Sequence, residues 1–146
     1  MSNEPALHVT VPASLDQVSW LTRLLRAATS NILRDDEFIL FEIGVVEIVN
    51  NIIEHAFDTR TGTLDVTCAL EGARVRLLIS DAGQAMPDGI QSIFDALDDE
   101  VDEDAVSGRG LRIIKKCFEH VAFYRQDGLN KVMVTYSGSG APVMAM

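Results

Sequence analysis

The 146-residue sequence predicts an α+β domain: a two-layer sandwich in which a mainly antiparallel sheet carries helices on one face. Three observations predict it. Residues 38–57, FILFEIGVVEIVNNIIEHAF, are an almost wholly apolar helix with one polar stripe. Two pairs of strand-like runs are each joined through a short Gly-containing break, the pattern of antiparallel hairpins. Amphipathic helical segments stand before the central helix and between the two hairpins.

Taken in order, residues 7–11 (LHVTV) alternate as a short strand that Pro12 closes. Ser14 with Gln17 gives a capping-box pattern ahead of Leu15, Val18, Leu21, Leu24, Leu25 and Ala28, one face of an amphipathic helix. Trp20, Arg23 and Arg26 are expected on its exposed side. Asp35 or Asp36 is the expected N-cap of the central helix, which should end near Phe57. There Phe41, Val45, Ile48, Val49, Ile52 and Ile53 cover the apolar faces. Glu47, Asn51, Glu54 and His55 fall within an arc of about 100°.

Residues 58–62 read as a turn, and the runs 63–70 and 74–80, separated by Glu71-Gly72-Ala73, as a hairpin whose second strand delivers Asp81-Ala82-Gly83. From 84 to 107 clean periodicity is lost, and seven of the ten residues from 95 to 104 are acidic, a solvated block. Ser107-Gly108-Arg109-Gly110 then opens a helix with Leu111, Ile113, Ile114, Cys117 and Phe118 apolar. Strand-like runs at 121–125 and 131–136 flank a turn at Asp127-Gly128-Leu129-Asn130. Residues 1–137 are read as one domain and 138–146 as a disordered tail.

Composition limits the partners. The net charge of −10 argues against a nucleic-acid surface, which needs basic residues to displace counterions, and favours basic protein partners. No apolar run reaches the roughly 20 residues that cross a bilayer, and MSNEPALHV is not a signal peptide, so a cytosolic protein is expected. Cys68 and Cys117 lie far apart in apolar contexts and read as reduced core thiols.

Polar groups on a buried helix need partners, and a nucleotide with its metal is one such partner; a solvated rim or a core network is the bland alternative. Three pieces stand together: the stripe, the D-x-G at a strand end, and a Gly-x-Gly opening a helix. Free amides and a positive dipole end suit phosphate oxygens where glycine lets them approach. Asp81 at a buried strand end can accept from an exocyclic amine. Singly each signal is weak; their order and spacing carry the reading.

The pattern Glu47-x-x-x-Asn51-x-x-x-His55, then Asp81-x-Gly83-x-x-x-Pro87, then Ser107-Gly108-Arg109-Gly110-Leu111-x-Ile113-Ile114, resembles the N, G1 and G2 boxes of the Bergerat-fold (GHKL) ATPases. Within them it looks most like the single-domain anti-sigma-factor serine/threonine kinases of bacterial partner-switching modules. The match runs from about residue 7 to residue 136.

The resemblance implies a protein kinase that binds ATP with Mg2+ and phosphorylates a STAS-domain anti-sigma-factor antagonist, which competes with a sigma factor or another output protein. It implies Glu47 as general base, Asn51 as the magnesium ligand, and His55 as a basic residue ending the box. Asp81 would recognise the adenine amine with Gly83 beside the base, and Gly108 and Gly110 would contact phosphate. Arg109 and Leu111 complete that box, Arg109 being the nearest candidate cation. Residues between Pro87 and Ser107 match a lid, although the seven carboxylates from 95 to 104 depart from the cationic lids of the family.

Two other readings compete. An ATP-gated module could sequester its partner with little phosphorylation. A two-component histidine kinase would need a dimerisation hairpin bearing a phosphoacceptor His, which the segment before the N box is too short to supply; His8 lies in a strand and reads as structural. A homodimer through the N-terminal strand and helix is expected by analogy.

Overall fold

Alternation of side chains across a pleated strand sorts each strand into a core face and an open face, and in this chain the sorting runs through all five strands. The structure, a computed structural model, describes residues 4–56, 62–97 and 109–139. The strands are β1 (Leu7–Pro12), β2 (Thr63–Glu71), β3 (Arg74–Asp81), β4 (His120–Gln126) and β5 (Leu129–Ser137). They form one sheet in the order β1-β2-β3-β5-β4, antiparallel at every pairing. The helices are α1 (Leu15–Thr29), α2 (Asp35–Ala56), α3 (Ile90–Asp95) and α4 (Arg109–Cys117).

Val66, Cys68, Val75, Leu77, Ile79, Val132 and Val134 turn inward, and α1, α2 and α4 supply the facing layer. Helix α2 packs against both of the others, so its apolar side is the centre of the core. Phe41 is fully buried and meets the Phe118 and Tyr136 rings edge-on, at 6.0 and 5.9 Å between centroids. Burial pushes the Cys68 thiol up to about 11, so it stays a neutral core side chain. The expected two-layer α+β sandwich is the fold observed.

Local chemistry explains the joints. Asp127 and Gly128 both have positive φ (56° and 79°), which makes the β4–β5 connection a two-residue type I′ turn and fixes the register Arg125↔Asn130. That turn is tighter than the four-residue turn expected, and it starts β5 at Leu129. Strand β4 is an edge, and the Gln91 carboxamide covers part of it, donating to Val121 O (3.2 Å) and accepting from Phe123 N (2.7 Å).

Several expectations are corrected. Both Asp35 and Asp36 lie inside the first turn of α2; the Arg34 amide there is satisfied by the Glu37 carboxylate at 3.1 Å. Glu37 is buried and also accepts from Ser139 N at 2.7 Å, which ties the chain beyond β5 to the start of α2. Gly138 N donates to Ala73 O, so the first two residues of the expected disordered tail are held, while 140–146 lie outside the described residues. Ser14 caps α1 through Asp16 N at 3.3 Å, without the reciprocal Gln17 bond of a capping box. Leu15 is 64% exposed, at a position where an apolar core contact was expected.

Helix α2 is not apolar-buried all round: Ile39, Leu40 and Ile43 lie on its outer side, exposed. Helix α3, six residues without amphipathic length, has no periodic signature to read. Phe57 and residues 58–61 of the turn expected at 58–62 fall outside the described residues. Among the described residues no helix is long and apolar enough to cross a membrane.

Candidate nucleotide site

Of the polar stripe of α2, Glu47 and Asn51 face the start of α4, while Glu54 and His55 are exposed. Gly44 lets the two helices come close: a Cβ there would fall 2.4 Å from the Phe118 ring and 2.8 Å from Cys117 Cβ. Two turns on, Gly110 at the start of α4 faces Glu47 and Asn51, and a Cβ on Gly110 would lie 3.2 Å from Glu47 Oε2 and 3.6 Å from both polar atoms of the Asn51 carboxamide. Burial and then the nearby Glu47 carboxylate raise the Cys117 thiol above its ordinary range.

Beside this contact opens a cavity of about 470 Å³ between α2, α3, α4 and the ends of β3 and β5. Its walls are mostly apolar, among them Ile48, Ile52, Met86, Ile90, Leu111, Ile114, Phe123 and Val132. The polar side chains lining it are Asn51, His55, Asp81, Gln84 and Asn130. A mainly apolar cleft of this size with a few convergent polar groups is the usual form of a small-molecule site.

Asp81 is held in a row that crosses three strands. The registers Asp81↔Asn130 and Asn130↔Arg125 put all three residues on the helix side of the sheet. Asp81 Oδ1 accepts from Gly83 N and from Asn130 Nδ2, each at 2.9 Å. Asn130, 1% exposed, also donates to Gln84 O (2.8 Å) and accepts from Arg125 Nη1 (2.8 Å) and Met86 N (3.2 Å). Asp81 Oδ2 makes no hydrogen bond among the described residues, although Asp81 is only 3% exposed. One oxygen is thereby fixed and the other left for a donor in the cavity.

Helix α3 forms a further wall and is fastened to α4. Lys115 Nζ donates to the carbonyls of Phe94, Asp95 and Leu97 at 3.1, 3.1 and 2.8 Å, where the helix dipole favours a cation. Lys115 is therefore committed to α3. Arg112, in the first turn of α4, keeps Nε and Nη1 buried, with no hydrogen-bond partner among the described residues.

A family model described as a histidine kinase-like ATPase domain matches residues 11–136. The chain belongs to that family. Among its relatives, the serine/threonine-protein kinase BtrW of Bordetella bronchiseptica is 29% identical over 131 residues, covering 88% of this chain and 89% of the relative. The serine-protein kinase RsbW of Staphylococcus epidermidis is 24% identical over 141 residues, covering 92% and 89%.

Solved structures agree at the level of fold. The catalytic domain of histidine kinase ThkA superposes with a TM-score of 0.55 at 15% identity, covering 90% of this chain and 97% of that one. The histidine kinase domain of the blue-light activated kinase EL346 of Erythrobacter litoralis gives 0.56 at 17%, covering 88% of this chain and 62% of that one. This ATPase domain therefore has the Bergerat-type α/β architecture.

Within the domain, Asn51, His55, Asp81, Pro87 and Leu111 line the cavity together. Glu47 and Gly110 sit beside Asn51. Arg109 is exposed as the first residue of α4, and Gly108 lies outside the described residues. Gly83 has a structural reason of its own, since a Cβ there would meet Ala56 O at 2.5 Å where Gln84 N bonds the same carbonyl. Residues 88–97 of the expected lid include α3, and 98–107 lie outside the described residues.

Asn130 and Arg125 were missed as site residues. The signal was present: a two-residue Asp-Gly loop pairs residue 125 with 130, and counting inward from Val132 places Asn130 on the core face.

Mg2+ is compatible with these side chains. Among the described residues no cluster of three or more His, Cys, Asp or Glu could hold a metal alone. Magnesium carried on phosphates needs only one or two protein oxygens, which the Asn51 amide with neighbouring Glu47 offers.

Proposed function

We propose that the chain is an ATP-dependent protein serine/threonine kinase of a partner-switching module, which phosphorylates a STAS-domain anti-sigma-factor antagonist and holds a sigma factor or another output protein in its absence. The observation that carries this is the meeting of Glu47 and Asn51 on α2 with Gly110 at the start of α4, beside a cavity that contains Asp81 with one unbonded oxygen. The kinase names and coverage of the relatives support it. A homodimer through the edge strand β1 and helix α1 belongs to the same reading.

Asp81 Oδ2 accepts from the adenine amine while Asn130 and Gly83 N hold Oδ1, and the apolar walls take the base. Gly108, Gly110 and the free amides opening α4 take phosphate oxygens, with Arg109 alongside. His55 offers a ring N–H from the cavity wall. Asn51 holds Mg2+, which when bound neutralises charge on the phosphates. Glu47 removes the proton of the acceptor hydroxyl. The acceptor hydroxyl oxygen forms a bond to the γ-phosphorus as the bond to the bridging oxygen breaks, and that electron pair leaves with ADP.

Positioning and charge account for most of such a reaction, so Glu47 governs turnover and not affinity. Glu47→Gln should lower phosphate transfer from γ-labelled ATP about 10²–10⁴-fold, with ATP affinity nearly unchanged. Wild-type transfer rates in that variant would remove the base assignment. Failure of the wild type to bind ATP would end the whole reading.

The acidic run from 95 to 104, seven carboxylates close before Gly108, favours a second reading. In it ATP sets a conformation that sequesters the partner and turnover is slight. Tight ATP binding without transfer to any cognate STAS protein is its expected signature.

A further inference from the structure

The outer face of α2 that carries Glu47 continues past the nucleotide cavity. Ile43 stands one turn before Glu47, with Ile39 and Leu40 a turn earlier, and these three are 43%, 54% and 51% exposed. At 100° per residue they share with Glu47 an arc of about 100°, and the stripe from Ile39 to Glu47 is about 12 Å long. Single exposed aliphatics are ordinary on a monomer; three adjacent large ones on the solvent side of one helix mark a surface that another body covers.

We propose that this stripe is the docking surface for the protein that brings the phosphoacceptor hydroxyl. The inference rests on the kinase reading of Glu47. An acceptor oxygen must come within about 3 Å of the Glu47 carboxylate. A protein interface covers about 800 Å² on each side, so a body seated at Glu47 also covers the turns of α2 beside it. The exposed side chains on the turns before it are Ile39, Leu40 and Ile43.

Charge selects the occupant. Glu42 and Glu54 flank the stripe on the same helix; among the described residues Glu42 and Glu47 have no ion pair and the Glu54 carboxylate pairs with His55 alone, at 3.8 Å. The matching partner presents an apolar centre rimmed by Lys or Arg. A second copy of this chain fits poorly. A two-fold contact on this face would bring Glu42, Glu47 and Glu54 of both copies together and would shut Glu47 away from any substrate.

The test uses the full chain with Ile39→Ser and Ile43→Ser combined, both at exposed positions. Transfer from γ-labelled ATP is measured against increasing concentrations of a STAS-domain protein from the same genome, with nucleotide affinity and sedimentation measured alongside. Docking on the stripe predicts a KM for the STAS protein raised about 10-fold or more, with kcat, ATP affinity and sedimentation unchanged. An unchanged KM overturns the inference. So does a shift to a smaller sedimenting species with KM unchanged, which would assign the face to a second copy. Failure of the kinase reading is visible separately, in a wild type that binds ATP yet transfers to no STAS protein, and the docking surface falls with it.

Discussion

Asp81 recognises nothing by itself; a carboxylate with both oxygens free to turn would accept from many donors. On the proposed reading its selectivity would come from the row Asp81–Asn130–Arg125, in which Asn130 occupies one oxygen and is itself held by Arg125 and by the Gln84 and Met86 backbone. Removing Asn130 leaves Gln84 O and one Asp81 oxygen short of a buried donor, and each such loss costs about 1–3 kcal/mol. Asn130→Ala should therefore weaken ATP binding about 10-fold and narrow the preference for ATP over GTP, with the circular dichroism of the folded chain preserved. Titration with both nucleotides checks it, since a residue that served stability alone would leave their ratio unchanged. At this scale the sequence was readable where one element sufficed. Glu47, Asn51 and His55 follow from the period of a helix and Asp81 from a strand end, whereas Asn130 needed the pairing of two strands across a turn.

Elements meet through glycines whose reason lies in the partner element. Gly44 is in the middle of α2, where alanine ordinarily favours a helix by about 1 kcal/mol. Here the new methyl would overlap the Phe118 ring at 2.4 Å and crowd Cys117, so α4 must move or the ring must leave the core. Gly44→Ala should destabilise the domain by about 1–3 kcal/mol, read as a lower urea midpoint at constant slope. Displacing α4 also separates Gly110 from Glu47, so transfer should fall more steeply than stability does. Nothing in residues 38–57 alone announces this, because periodicity reports which face is buried and not how near the neighbour stands. The same limit explains Ile39, Leu40 and Ile43, which look like core in an apolar run and prove to be surface. Strands fared better: alternation with Asp-Gly or Gly-containing breaks fixed both hairpins to within a residue or two.

Across the whole molecule the cavity is where separate layers converge, with β3 and β5 below, α2 and α4 beside, and α3 fastened over by Lys115. The order of the three motifs made that convergence legible, because each stands at the end of an element that must reach one place. The acidic block was not legible, since a run of like charges has no apolar side to orient it. A ligand touching all these elements stabilises the folded state by about 2.7 kcal/mol at a hundredfold excess over its Kd. For a domain of this size that corresponds to a rise in Tm of roughly 5–11 °C. Mg-ATP should produce such a rise in the wild type and in Glu47→Gln, because the base contributes to turnover and not to binding. Asp81→Ala should show little rise, and excess EDTA should shrink it in the wild type if Asn51 holds the metal as proposed. An equal rise in Asp81→Ala would place the nucleotide elsewhere than this cavity; a rise indifferent to EDTA would remove magnesium from the site.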